Sequence, residues 1–187
     1  MEAFHDTDGF YDQMDKFTAN YSSLRNKLVK IIGDDTHGPI VQEEASRLED
    51  EIEIAMRNVH TNFPESSPTP EDFRNYFIAG YDLFEKEITI NVFTNVALLK
   101  NLRVVHGMQD RRLHDLEAGL LTKYRLINED NIDINELRMR ESELRDLIDS
   151  SNQYLRNVSP PPPPPRTHTR SRTFNPFSRR NNRTSRW

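Results

Sequence analysis

His106, Asp110 and His114 are the residues whose types and spacing come nearest to a reactive site. They fall at i, i+4 and i+8, which on a helix places three side chains on one face. Imidazole and carboxylate groups in that arrangement are ligands for zinc or another divalent cation. No nearby residue supplies a fourth ligand, so we predict that no metal is bound, that His106 borders the core and that the other two face water.

Other motifs of enzyme active sites do not occur in the sequence. The six glycines stand singly rather than in a phosphate-binding loop, and neither a G-x-S-x-G elbow nor an H-E-x-x-H pair is found. The lack of cysteine excludes disulfides, thiolate metal sites and a cysteine nucleophile. A calcium-binding loop beginning at Asn128 fails because Ile132 stands where an oxygen ligand is required. We therefore predict a protein that is not an enzyme and needs no cofactor.

The charges divide the chain into an acidic body and a basic tail. From Pro160 onward the only charged residues are seven arginines, so the tail carries +7, while the whole chain carries −5. The body must then carry −12, which makes it a poor surface for nucleic acid or anionic lipid. We predict a helical body over 1–158 and a disordered Pro/Arg-rich tail over 159–187.

Two seams of apolar residues predict a helical hairpin over 6–59. Each seam recurs in steps of four and three, the first from Phe10 to Ile31 and the second from Val41 to Val59. The short Gly- and Pro-containing segment between them predicts antiparallel neighbours. Because strict heptad seams are narrow, we expect them to pack on helices of a partner. The residues predicted to do so are Phe10, Met14, Phe17, Tyr21, Leu24, Leu28, Ile31, Val41, Leu48 and Ile52.

A third helix, predicted to be the most buried, follows a Pro- and Ser-rich linker over 60–69. Thr69 is a favourable N-cap, Pro70 suits the first helical position, and the apolar face beyond them is broad. We predict helix over 70–127, which Gly107 kinks or divides. Residues 88–94 alternate apolar and polar side chains as a strand would, but no second strand is present to pair with them, so helix is favoured.

A last helix is predicted over 134–157. Asp133 stands as its N-cap, and Glu136 three residues later completes the pattern of a capping box. The helix should fade by Val158, because the residue before a proline run avoids helical geometry. The predicted fold class is all-α, with four or five helices that form a bundle or an elongated coiled coil.

The tail combines two peptide motifs with a row of arginines. Pro162, Pro165 and Arg166, within six consecutive prolines and the arginine after them, approximate the P-x-x-P ligand of SH3-type domains; a stiff spacer is the alternative. Residues 175–177 spell NPF, which resembles the peptide bound by EH domains. The remaining arginines suit an anionic partner, including nucleic acid. They are Arg170, Arg172, Arg179, Arg180, Arg183 and Arg186.

These features predict a helical subunit or scaffold of a multiprotein assembly, paired with other helical proteins or with itself, whose tail recruits further partners. With no signal peptide and no apolar stretch long enough to span a membrane, we expect it in the cytoplasm or nucleus. Two alternatives stay open. One is an adaptor that works through its tail on SH3-type or EH-type domains, and the other is a structural virion protein whose basic tail contacts nucleic acid.

Overall fold

The computed structural model describes residues 7–64 and 68–158, which form five α-helices and no strand. The helices are α1 (Thr7–Ile32), α2 (Pro39–Thr61), α3 (Pro70–Val104), α4 (Arg111–Ile127) and α5 (Ile134–Asn157). The all-α prediction is confirmed, and residues 88–94 are helical within α3. The predicted tail over 159–187 lies outside the described residues.

α1 and α2 lie side by side, and their apolar seams meet. Leu24 and Leu28 of α1 and Leu48 and Ile52 of α2 are buried in one cluster, which Ile90 of α3 completes. The heptad spacing places these leucines and isoleucines on one stripe of each helix, and burying that stripe removes its apolar surface from water. The seams of α1 and α2 therefore pack on each other within the chain.

α3 begins where the sequence predicts, with a complete capping box. The Thr69 hydroxyl accepts a hydrogen bond from the Asp72 backbone N–H at 3.2 Å, and the Asp72 carboxylate accepts one from the Thr69 backbone N–H at 2.7 Å. Hydrogen bonds from the hydroxyl and then the backbone of Thr69 hold the pKa of Asp72 below its usual value, because they favour the ionised carboxylate.

α5 begins at Ile134 as predicted, but the capping box expected there is wrong. The Asp133 side chain makes no capping hydrogen bond. The Glu136 carboxylate instead accepts a hydrogen bond from the Arg140 guanidinium one turn later, in an i, i+4 pair.

Gly107 divides the helix predicted over 70–127 rather than kinking it. α3 ends at Val104 and α4 begins at Arg111. Gly107 has a φ of +65°, a left-handed conformation that only glycine adopts without steric cost. The Asp110 carboxylate then accepts a hydrogen bond from the Arg112 backbone N–H at 3.0 Å and caps α4.

α3 is the central helix of the described chain, as predicted. It carries more buried residues than any other helix and contacts each of the other four. α1 and α2 form one hairpin and α4 and α5 a second, and within the described ranges the two hairpins pack on α3 rather than on each other. None of these five helices combines the length and the hydrophobicity that crossing a bilayer requires.

Candidate functional site

His106, Asp110 and His114, the three residues with ligand-like spacing, are not on one helix. His106 lies in the connection after α3, Asp110 caps α4, and only His114 belongs to a helix. The Asp110 carboxylate is also engaged by the Tyr154 hydroxyl, which donates a hydrogen bond at 2.9 Å. The part of the chain that the structure describes contains no group of three or more His, Cys, Asp or Glu residues placed to hold a metal. The i, i+4, i+8 spacing does not place the three side chains on one face, because the helix that it requires ends at Val104.

A groove of about 490 Å³ lies where the start of α2 meets α3. Its walls are Ile40, Val41 and Phe93, and its rim carries charged residues of α2. Hydrogen bonding to Arg47, followed by the charge of that guanidinium, lowers the pKa of Glu44. Glu44 therefore stays ionised at neutral pH and is a poor proton donor, which makes general acid catalysis an unsuitable role for it.

The structure brings the predicted partner-packing residues together inside the chain. Half of them are buried in the cluster between α1, α2 and α3, and these are Leu24, Leu28, Ile31, Leu48 and Ile52. The others are half-buried and pack against the edges of the apolar clusters, and these are Phe10, Met14, Phe17, Tyr21 and Val41. Their contact with a partner helix stays a prediction.

An aromatic cluster closes the end of the chain's core where α3 begins. Tyr76 is buried with the rings of Phe10, Phe17 and Phe63 at centroid distances of 5.7, 5.9 and 5.8 Å. Its hydroxyl has no hydrogen-bond partner among the described residues, and burial raises its pKa. Gly80 lets the Phe17 ring approach α3, since a Cβ at Gly80 would lie 2.4 Å from Cζ of that ring. No sequence pattern indicated this contact.

A third heptad seam runs along most of α3, within the broad apolar face that was predicted for this helix. Its members recur in steps of four and three, a spacing that keeps them on one stripe. The signal is present in the sequence, but two charged residues interrupt its apolar pattern. The members are Arg74, Ile78, Tyr81, Glu85, Ile88, Val92, Asn95 and Leu99.

The C-terminal half of this α3 seam is covered by α4 and α5. Ile88, Val92 and Leu99 are buried in a cluster with leucines of both helices. Asn95 donates hydrogen bonds through its side-chain amide to the Ser151 hydroxyl at 2.7 Å and to Oδ1 of Asn152 at 3.1 Å. Its polar group is therefore satisfied, as burial requires.

The N-terminal half of the same seam is bare. Ile78 is 51% exposed and Tyr81 is 61% exposed. Phe77 and Phe84 stand beside them, and Phe84 is partly covered by the Arg145 guanidinium, which lies 4.7 Å from its ring centroid. We call these four side chains the α3 patch. Large apolar residues exposed together on neighbouring turns are a mark of an interaction surface.

Charged residues stand at both ends of the α3 patch. Arg74 precedes it by one turn and Glu85 follows it by one turn on the same seam. Both are exposed, and neither forms an ion pair with another residue of the described ranges. The neighbouring charges Lys86 and Glu87 differ, because the first pairs with Glu51 and the second accepts a hydrogen bond from Asn20.

The functional motifs predicted beyond Val158 lie outside the described residues. They are the polyproline ligand at Pro162, Pro165 and Arg166, the NPF sequence at 175–177 and the arginines Arg170, Arg172, Arg179, Arg180, Arg183 and Arg186.

Comparison of the chain with protein-family models, with curated proteins and with solved structures finds no significant match.

Proposed function

We propose that this chain is a non-enzymatic helical subunit of a protein assembly, folded as a bundle around α3, and that the α3 patch is its contact surface. The observation that carries the proposal is the exposure of Ile78 and Tyr81 on a seam whose other half is buried by α4 and α5. A partner helix lying on these side chains would remove their apolar surface from water, as α4 and α5 do further along.

The proposal moves the partner contact from the first hairpin to α3. Leu24, Leu28 and Ile52 are already covered within the chain, so a partner helix reaches them only if the hairpin opens. The α3 patch needs no such rearrangement, and most protein interfaces form with little backbone movement. Assembly through the α3 patch therefore requires less conformational change than assembly through the first hairpin.

The size of the complex in native extracts tests this function. The variant Ile78→Asp with Tyr81→Asp places two charges in the α3 patch and should reduce the full-length tagged chain to the sedimentation of a free monomer. Ile54→Asp on α2 is the matched control, because Ile54 is 54% exposed outside the seam, and it should leave the assembly intact. Equal helicity by circular dichroism establishes that each variant is folded. A wild-type chain that sediments alone, or a double variant that stays assembled, contradicts the proposal.

A tail-driven adaptor is the second candidate, because six prolines followed by arginine and an NPF sequence stand together in a basic segment. Replacing Pro162, Pro165, Arg166 and Pro176 with alanine in the full chain separates the two functions. The helical subunit keeps its assembly after this change, whereas the adaptor loses its partners.

A further inference from the structure

We propose that the occupant of the α3 patch is a second copy of this chain, with the two α3 helices antiparallel about a two-fold axis. The inference rests on the proposed function and names its partner. It follows from the order of residues along the bare half of the seam, which reads Arg74, Ile78, Tyr81, Glu85.

That order is self-complementary when it is reversed. In an antiparallel pair, residues equally distant from the midpoint between positions 79 and 80 face each other. Ile78 then meets Tyr81 of the partner subunit, and Arg74 meets Glu85 of the partner subunit. The two-fold axis repeats both contacts, because an isologous interface uses the same surface on each copy. The result is two apolar layers at the centre with an ion pair at each end.

The charges select this orientation over a parallel one. Parallel pairing would place Arg74 on Arg74 and Glu85 on Glu85, and like charges brought together oppose association. Arg74 and Glu85 make no ion pair within the described chain, so each is free to take an intermolecular partner. Phe77 of one copy would flank Phe84 of the other and extend the apolar centre on one side.

The covered half of the seam limits the contact. Ile88 is buried beneath the chain's own helices, so the pairing cannot continue past Glu85. The eleven steps from Arg74 to Glu85 span roughly 16 Å of helix at about 1.5 Å per residue. A contact of that length is smaller than a standard protein interface. We therefore expect a reversible dimer whose population rises with protein concentration.

Charge exchange across the interface tests the pairing, with sedimentation equilibrium of the full chain as the measurement. Arg74→Glu and Glu85→Arg should each weaken the homodimer at least tenfold, because each places like charges together at both ends. The double variant Arg74→Glu/Glu85→Arg should regain the wild-type dissociation constant within about threefold. An equimolar mixture of the two single variants should form a heterodimer, since the mixture restores opposite charges at both ends. Both residues are exposed, so circular dichroism should show unchanged folding.

Disulfide cross-linking gives an independent readout, since the chain has no cysteine of its own. A mixture of Ile78→Cys and Tyr81→Cys chains should cross-link between the two variants under mild oxidation, while each variant alone should cross-link far less. Cross-linking of each variant alone overturns the antiparallel arrangement. A wild-type chain that remains monomeric at all concentrations overturns self-pairing. If the Ile78→Asp/Tyr81→Asp variant still loses its assembly in extracts in that case, the proposed function survives with a different partner.

Discussion

The two halves of α3 share one helix and one heptad seam but have different surroundings. Over 88–104 the helix has α1 and α2 on one side and α4 and α5 on the other, whereas over 70–87 its apolar contacts come from the first hairpin. α3 has 35 residues, whereas α4 has 17 and α5 has 24, so both helices of the second hairpin are too short to cover the whole seam. An apolar seam therefore indicates that a helix needs a neighbour, and the lengths of the other helices decide whether the chain supplies it.

The polar residues on the seam also separate its halves. Asn95 in the covered half is neutral and finds hydrogen-bond partners on α5. Arg74 and Glu85 in the bare half are charged, and burying a charge without a partner is far more costly than burying an amide that is hydrogen-bonded. The same register thus favours intramolecular packing at one end and an exposed or intermolecular surface at the other.

Truncating one seam residue in each half should change the stability of the chain by very different amounts. Leu99→Ala should destabilise the chain by about 2 to 5 kcal/mol, because Leu99 is 0% exposed and its loss leaves a cavity. Tyr81→Ala should change stability by only about 0.5 kcal/mol in dilute solution, as for an exposed residue. Urea denaturation of the full chain measures both. A large loss for Tyr81→Ala would mean that the α3 patch is covered in solution.

Two glycines that face different hairpins should respond differently to substitution by alanine. Gly80→Ala should destabilise by about 1 to 3 kcal/mol, because the new Cβ would lie 2.4 Å from the Phe17 ring and force it to move. Gly119→Ala should be close to neutral. Its Cβ would lie 3.0 Å from Cδ2 of Leu147, and the gain of about 1 kcal/mol from alanine in a helix offsets that contact.

Thermal melts with Phe17→Leu as a second background identify the cause of the Gly80 effect. Gly80→Ala should become neutral or stabilising there, since the shorter side chain no longer meets the added methyl group. If Gly80→Ala is equally harmful in both backgrounds, the Phe17 ring is not the reason for the glycine.

Removing the hydroxyl of either buried tyrosine should have a smaller effect on the free energy of unfolding, and the sign should be opposite in the two regions. Tyr154→Phe should destabilise by about 1.5 kcal/mol, because it removes the hydrogen bond to the Asp110 carboxylate. Tyr76→Phe should be neutral or stabilise by up to about 1 kcal/mol, because it removes a buried hydroxyl that has no partner in the described chain. Urea denaturation at neutral pH measures both, and a loss for Tyr76→Phe would reveal a hydrogen bond to that hydroxyl.

The same tyrosines predict the alkaline limit of stability. Burial raises the pKa of Tyr76, and burial followed by the Asp110 hydrogen bond raises the pKa of Tyr154. For a group whose pKa is raised by folding, the stabilisation is complete below the unfolded pKa and is lost as pH rises through the folded pKa. Wild-type stability should therefore fall above about pH 10, and the double Phe variant should fall less steeply.

Removing the N-cap side chains of α3 and α5 should give the smallest difference in stability. Thr69→Ala should destabilise by about 1 kcal/mol, because Thr69 accepts a hydrogen bond from the first turn of α3. Asp133→Ala should change stability by a few tenths of a kcal/mol, since its side chain makes no capping hydrogen bond and retains only its favourable charge at the helix start. Equal losses in thermal denaturation would indicate that Asp133 caps α5 in solution.

The sequence predicted most of the features that depend on neighbouring residues, with the capping box at Asp133 as the exception. Thr69 and Pro70 located the start of α3, and Gly107 located its end, because caps and left-handed glycines act within one or two turns. The apolar spacing identified helices. Over residues 88–94 the spacing itself resembled a strand, and the lack of a second strand to pair with it led to the correct prediction of helix. These features need no knowledge of tertiary contacts.

The contacts between distant residues were beyond the sequence. Spacing alone cannot tell whether a heptad seam packs within its own chain or on another. Leu24 and Leu28, which were predicted to pack on a partner, are buried within the chain, and their contact with a partner helix stays a prediction. The approach of Phe17 to Gly80 depends on how α1 lies against α3. Likewise, the exposure of the N-terminal half of the α3 seam can be predicted only when the extent of the second hairpin is known.

The central position of α3 has a consequence for synthesis on the ribosome. The first hairpin emerges before the helix that completes its core, so Leu48 and Ile52 lack their third neighbour until translation reaches Ile90. The other side of α3 stays uncovered until α4 and α5 have also been synthesised. During that interval the uncovered surface is open to chaperones and to other nascent chains, and domains generally begin to fold as they emerge.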